Sequence, residues 1–180
     1  RDRPNIEPSL VLLVSGGHTQ VLFHDEHLNC KILAESADDA AGECLDKSAK
    51  LMGLDFPGGP HLEKLALKVS DFELAKKLSK ELPTPKSEKG FSFSGLKTAI
   101  RICLEKNPSL VGSPEMAWAI EDSVLRALLN TFKKVVKTSD FNFKRVVFCG
   151  GVAANKKIRK AFEEYCERNR WEAAIAPLKF

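Results

Sequence analysis

Apolar residues recur along this chain at two different periods, and the change of period divides it. Leu10–Val14 is a continuous apolar run, the pattern of a strand buried on both faces. The turn Ser15-Gly16-Gly17-His18-Thr19 separates it from Gln20–His24, where Val21 and Phe23 alternate against Leu22. Polar Asp25–Asn29 leads to Cys30–Glu35, a third short strand with Ile32 and Ala34 on one face. Short strands with tight connections predict an antiparallel meander. From Ser36 the period becomes helical. Ser36-Ala37-Asp38-Asp39 resembles a capping box, with acids where the helix dipole favours them. Ala41, Leu45, Ala49 and Met52 follow at helical spacing, and Gly53 stands where a C-terminal glycine belongs.

Phe56-Pro57-Gly58-Gly59-Pro60 is expected to be a rigid loop, outside any helix or strand interior. Short helices are predicted over His61–Val69 and Asp71–Lys80, then a surface connection over Leu82–Gly90. Phe91-Ser92-Phe93-Ser94-Gly95 precedes a helix from Leu96 to about Leu104. Pro114 opens a long amphipathic helix whose stripe is Met116, Ile120, Val124, Leu128, Phe132 and Val135. Arg145–Cys149 reads as another buried strand. Gly150–Asn155 turns into a helix reaching about Arg168, and Trp171–Ala176 reads as a last strand. The order is a meander, a helix, a helical stretch, then alternating helices and strands. That is the arrangement of one half of a ribonuclease H-like or actin-like α/β fold, with the first strand central and the glycine turns gathered at one crevice. Residues 1–53 and 113–180 would form this lobe, and 54–112 a helical insertion.

Composition bounds the class. At ~100–200 residues per domain, the 180 residues make one domain. The chain is 43% hydrophobic and 29% charged, enough apolar surface for a core. With 28 Lys and Arg against 24 Asp and Glu, a net charge of +4 permits an RNA partner without requiring one. No apolar run approaches the ~18–20 residues of a membrane span. Cys30, Cys44, Cys103, Cys149 and Cys166 are scattered, which argues for free thiols and a cytosolic setting over a disulfide framework or zinc site. Arg1 and Phe180 give both ends the look of a cut chain.

Several segments could carry chemistry. In Ser15-Gly16-Gly17-His18-Thr19, the glycines let backbone N–H groups approach an anion and the hydroxyls add donors, as in a phosphate cradle. On the glycine pair alone, a hairpin turn explains the segment better. Gly150-Gly151-Val152-Ala153-Ala154-Asn155 would bring a helix N-terminus to a ligand, with room for a flat adenine ring and Asn155 able to pair with a base edge or ribose hydroxyl. A tight turn with an Asn cap explains it equally. Asp39, Glu43 and Asp46 fall on neighbouring turns and could grip ribose hydroxyls or magnesium. An acidic first turn accounts for Asp38 and Asp39, but not for Asp46 beside Leu45. Pro57-Gly58-Gly59-Pro60 could press its backbone on a nucleotide, though a plain turn suffices. His24-Asp25-Glu26-His27 suggests metal ligands, but a strand end followed by a solvated turn need not converge them. Lys133-Lys134 and Lys156-Lys157 could meet RNA phosphates, though solvated helix faces are commoner.

Taken together these segments are far more specific. Leu13-Val14-Ser15-Gly16-Gly17-His18-Thr19, Asp38–Glu43 with Asp46-Lys47, Pro57–Pro60, Phe91–Thr98 and Gly150–Asn155 occur in one order. The series resembles the TsaD family, also called Gcp or YgjD, over essentially the whole chain. That resemblance implies a tRNA threonylcarbamoyltransferase of the actin-like ATPase superfamily. Such an acyltransferase moves the threonylcarbamoyl group from threonylcarbamoyl-adenylate to the N6 amine of the adenosine 3′ of the anticodon. It implies Leu13, Val14, Ser15, Gly16, Gly17, Asp46, Gly59 and Asn155 as substrate- and nucleotide-binding residues, with Asp46 on the ribose and Asn155 on the adenosine. It also implies iron or another divalent metal, tRNA, a TsaB-like paralogue, a TsaE-like ATPase and a homo- or heterodimer.

The departures from the family pattern are informative. The family's metal-binding His-x-x-x-His lies upstream of the Val-Ser-Gly-Gly segment, and no such pair precedes Leu10. Its third ligand, an Asp in Cys-Thr-Asp-Asn, follows Pro-Leu-Lys-Phe, where this chain reaches Phe180. The expectation is therefore a nucleotide-binding lobe, inactive alone, without metal ligands of its own. Two rivals share the fold: an actin-fold kinase or phosphotransferase, and a non-catalytic scaffold paralogue. The scaffold has no use for the Pro-Gly-Gly-Pro and Gly-Gly-Val-Ala-Ala-Asn segments. A metalloprotease reading has no His pair on a helix to support it.

Overall fold

The computed structural model describes residues 7–27, 29–84 and 90–176. Expectations for either terminus and for 85–89 within the Leu82–Gly90 connection lie outside the described residues. One mixed sheet of six strands runs in the order β4-β3-β2-β1-β5-β6. The strands are β1 Ser9–Val14, β2 Thr19–His24, β3 Cys30–Ser36, β4 Gly90–Phe91, β5 Arg145–Cys149 and β6 Glu172–Ile175. β1 is central: Leu12 faces Val21 of β2 in an antiparallel pair and Phe148 of β5 in a parallel one. The meander thus lies on one side of β1 and the parallel strands on the other, as the element order implies.

Leu10, Leu12 and Val14 are fully buried, while the intervening Val11 and Leu13 stay partly exposed. β1 is therefore not sealed on both faces, and β5 alternates in the same way. Cross-strand partners share a face, so Val11, Leu22 and Val147 belong to a second sheet face that remains partly open. The other face carries the helices. These are α1 Ala41–Leu51, α2 Gly58–Ala66, α3 Phe72–Glu81, α4 Ser94–Lys106, α5 Pro114–Thr138 and α6 Lys156–Arg168. All six predicted stripe residues of α5 are buried. Phe162 of α6 stacks on Phe148 of β5 with ring centroids 5.1 Å apart and meets Phe132 of α5 edge-on at 5.5 Å. Each such ring contributes ~1.5–3 kcal/mol through burial. No helix among the described residues is long and apolar enough to cross a membrane.

Three local expectations need correction. First, Ser36 does not cap α1, because its hydroxyl donates instead to the Asp39 carbonyl, 2.7 Å away. The helix starts at Ala41, whose N–H donates to Thr19 Oγ1 at 2.8 Å, so the cap arrives from β2. Thr19 is 1% exposed. Thr19→Val keeps the shape but orphans that N–H, and is expected to destabilise the fold by about 1–2 kcal/mol in urea denaturation. Second, Gly58, Gly59 and Pro60 are not a loop but the first turn of α2. Proline is tolerated there because the first-turn N–H groups have no intrahelical partner. Third, Gly90-Phe91 adds a short strand parallel to β3, so the stretch 54–112 contributes to the sheet as well as helices.

Candidate nucleotide-binding crevice

The crevice forms where β1 and β5 end, beside the start of α1. Asp46 looks inward from the middle of α1, and its Oδ1 accepts N–H groups from Gly58 at 2.7 Å and Gly59 at 3.3 Å. A Cβ on Gly58 would stand 2.5 Å from the Ala49 Cβ, so α2 begins pressed against α1. A Cβ on Gly59 would meet nothing within 4 Å. Asp46 Oδ2 has no partner among the described residues and stays available to a ligand hydroxyl.

The β1–β2 turn is both hairpin and wall. Ser15 N–H donates to the His18 carbonyl at 2.8 Å, closing the turn. Ser15 Oγ accepts from the N–H of Gly17 at 3.3 Å and of His18 at 3.0 Å. Two N–H groups expected to cradle an anion are thus already engaged. Gly42 in the first turn of α1 packs on this segment: its N–H donates to the Ser15 carbonyl at 3.1 Å. A Cβ there would come within 2.6 Å of that oxygen.

The β5–α6 junction forms the opposite wall. Asn155 caps α6: its Oδ1 accepts from the Ile158 N–H at 2.9 Å, and its Nδ2 donates to Glu121 Oε1 of α5 at 2.6 Å. The first N–H of α6, from Lys156, donates to Glu63 Oε1 of α2 at 2.7 Å. The N-terminus of α6 is therefore already capped by side chains, and the Glu63 carboxylate takes an N–H that was expected to face the ligand.

Gly16, Asp46, Gly59 and Asn155 all line this single crevice of about 230 Å³. Leu13, Val14, Ser15 and Gly17 do not line it. Val14 is sealed in the core, and Ser15 holds the turn that positions Gly16. Glu63 also lines the crevice, with Leu45, Val152 and Ala154 supplying apolar surface. Two carboxylates with no Lys or Arg lining among the described residues disfavour phosphate and suit neutral hydroxyl-bearing groups. Apolar walls with a few polar groups fit a nucleoside lying with its ring against backbone and its hydroxyls at Asp46.

The remaining acids do not converge there. Asp38 accepts from Ser92 Oγ, Phe93 N–H and both the N–H and Oγ of Ser94, so it anchors the Phe91–Gly95 segment. Burial opposes its ionisation, but these donors prevail and hold the carboxyl below its usual range. Asp39 accepts from Lys47 at 3.1 Å and Lys97 at 3.0 Å, tying α1 to α4, and Glu43 pairs with Lys47 at 2.7 Å. Asp25 closes its own turn by accepting from the His27 and Asn29 N–H groups. Lys157 is not a free cation: its Nζ lies 3.5 Å from the Trp118 ring centroid, and burial pushes it down to about 8. Among the described residues, no three His, Cys, Asp or Glu side chains converge to hold a metal ion, so the site as described does not fit the implied metal.

Glu63 and Glu121 were not singled out from the sequence, and Gly42 and Gly58 lay in candidate segments without a role of their own. Glu121 was legible: it sits four residues from Ala117 and from Leu125, both buried, so helical spacing turns it inward.

A meander-plus-parallel sheet with a crevice at the strand ends defines an actin-like, ribonuclease H-like lobe. The family model described as TsaD: tRNA N6-adenosine threonylcarbamoyltransferase matches residues 2–180, and the chain belongs to that family. Proteins named tRNA N6-adenosine threonylcarbamoyltransferase are similar to it. That of a Nitratiruptor species is 39% identical over 99% of this chain and 54% of its own length. That of Kosmotoga olearia is 38% identical over 98% and 52%, and that of Bacillus subtilis 39% over 95% and 49%. The chain spans about half the length of these relatives.

Proposed function

We propose that this chain supplies the nucleoside-binding lobe of a tRNA N6-adenosine threonylcarbamoyltransferase. What supports the reading is the convergence of Gly16, Asp46, Gly59 and Asn155 on one crevice in a chain of this family. The substrate is threonylcarbamoyl-adenylate. The N6 amine of the adenosine 3′ of the anticodon attacks the carbamoyl carbon. A C–N bond forms, the bond from that carbon to the phosphate oxygen breaks, AMP leaves with the electron pair, and the amine loses a proton. Asp46 Oδ2 accepts from ribose hydroxyls, the Gly59 backbone packs against the nucleoside, and Asn155 offers its remaining Nδ2 hydrogen. The acyl phosphate then points away from the Asp46 and Glu63 carboxylates, toward the Gly16 side of the crevice. Holding the two reactants in line is the lobe's contribution to rate.

Residues 54–112 are read as an insertion in this lobe. tRNA, a TsaB-like paralogue, a TsaE-like ATPase and the cytosol are the proposed partners and setting. A divalent metal belongs to the intact enzyme in this reading, and no step above depends on it. The test is transfer of labelled threonylcarbamoyl groups to tRNA by the full-length protein with its partners. Asn155→Ala is expected to raise KM for the adenylate at least 10-fold. Unchanged KM and kcat would refute the assignment, and turnover of ATP with a small alcohol would favour the phosphotransferase rival.

A further inference from the structure

Glu121 lies on the buried face of the amphipathic helix α5, 2% exposed, bonded to the crevice-lining Asn155 without lining the crevice itself. It takes no part in the transfer step. Two contacts fix what it does. The Ile158 N–H can be met only by an oxygen, so Asn155 Oδ1 must face it, 2.9 Å away. That choice turns Nδ2 toward Glu121, whose Oε1 accepts at 2.6 Å. A primary amide carries two N–H donors. The second has no acceptor among the described residues, on a side chain that lines the crevice.

We propose that Glu121 is a positioning residue: it locks the Asn155 carboxamide in the orientation that offers one N–H to a bound nucleoside, and the crevice holds that nucleoside more tightly when no charge stands on Glu121 behind its wall. The inference rests on reading the crevice as the nucleotide site. Carboxyl and carboxylate both accept from Nδ2, so the lock survives in either state. What changes is the charge behind the crevice wall. Asp46 and Glu63 already line the crevice with carboxylates, and Glu63 of α2 acts on Glu121 directly. Lys157 of α6 opposes it, itself shared with Asp122 of α5 at 3.7 Å. Arg126, one turn further along α5, is held by Asp122, Ser79 and Thr84. Burial dominates this balance and lifts Glu121 to about 7, with the Asn155 hydrogen bond and Lys157 only partly offsetting it.

A nucleoside seated in the crevice excludes water from the Asn155 wall and makes the ionised form costlier still. Ligand binding therefore raises the Glu121 pKa, and by linkage affinity falls as pH rises through about 7. A further rise of half to one unit corresponds to a loss of about 3–10-fold between pH 6 and pH 8.5.

Adenosine is the probe, because it is uncharged across this window, and titration calorimetry of the full-length protein is the readout. Wild type should lose about 3–10-fold in affinity from pH 6 to pH 8.5. Glu121→Gln, which keeps the acceptor and cannot ionise, should bind at both pH values as wild type binds at pH 6. Glu121→Met, which fills the space without an acceptor, should bind about 10-fold more weakly at every pH. A merely packing role would leave Glu121→Met near wild type in affinity. Glu121 raises the Lys157 pKa, so the wild-type and Glu121→Gln comparison is repeated in a Lys157→Met background, where that coupling is gone. Wild-type binding whose pH profile persists in Glu121→Gln, or is flat, overturns this inference alone. No adenosine binding by wild type at any pH overturns the crevice reading and this inference with it.

Discussion

Asp46→Ala is expected to lower nucleotide affinity of the full-length protein about 100-fold, the largest functional loss of any single change in the crevice. Charge-assisted hydrogen bonds are worth ~1.5–3 kcal/mol each, and 1.4 kcal/mol is tenfold in affinity. Alanine removes the Oδ2 acceptor facing the crevice. It also removes Oδ1, which holds the Gly58 and Gly59 N–H groups and thereby seats α2. Asp46→Asn separates the two parts. Its amide oxygen can still receive both N–H groups, so α2 stays seated while the charged acceptor is gone. An intermediate loss of about 10-fold follows. Calorimetric titration with AMP, alongside thermal melts, checks both numbers. If Asp46→Asn binds as poorly as Asp46→Ala with unchanged melting, the ribose contact carries everything and the seating of α2 carries nothing.

The fold was largely legible because its strong elements are periodic. The stripe from Met116 to Val135 and the run Leu10–Val14 need no tertiary knowledge to be recognised, and both stand where expected. The misreadings occur where a partner distant in sequence decides the local structure. Ser36 looked like the cap of α1, yet Thr19, 22 residues before Ala41, takes that N–H. Pro-Gly-Gly-Pro looked like a loop, yet Asp46, 12 residues before Gly58, supplies the acceptor that starts a helix there. The two-residue strand β4 has no periodicity at all. It exists because Gly90 lets the chain approach Glu35 closely: a Cβ would stand 2.1 Å from the Glu35 carbonyl oxygen.

The crevice was legible to the extent that its residues lie at glycine turns or break a pattern. Asp46, out of place in mid-helix, was recognisable and does face the crevice, as do Gly16, Gly59 and Asn155. Val14 and Ser15 share their segment but not its role: a strand residue points into the core, and a turn hydroxyl satisfies its own turn. Asp38, Asp39 and Glu43 lie on the same short acidic stretch, and sequence spacing could not show that donors from the Phe91–Lys97 segment and Lys47 claim them. Helical spacing limits which acids can meet, but only the packing of α4 and α2 against α1 decides which of them face solvent, lysine or ligand.

Gly150→Ala is expected to be the most damaging change for stability, at about 3–5 kcal/mol, a large part of the ~5–15 kcal/mol available to a domain. Two independent penalties meet there. Gly150 has φ +94, a conformation L side chains rarely adopt. An added Cβ would also lie 2.3 Å from the Val14 carbonyl oxygen and 2.7 Å from its carbon. Those are backbone atoms of the central strand, so no side chain can rotate away. The end of β5 must instead move off β1, loosening the Leu13–Cys149 pairing and displacing the 151–155 turn that ends in the crevice-lining Asn155. Gly151→Ala is the control, since a Cβ there meets nothing within 4 Å and its φ is not positive. It should lie within about 1 kcal/mol of wild type. Urea denaturation of the three proteins decides between them, and equal midpoints for the two variants would mean that β5 tolerates separation from β1. Where Gly150→Ala still folds, its adenosine affinity should fall with its stability, because the same displacement that relieves the Val14 contact carries Asn155 away from Glu121.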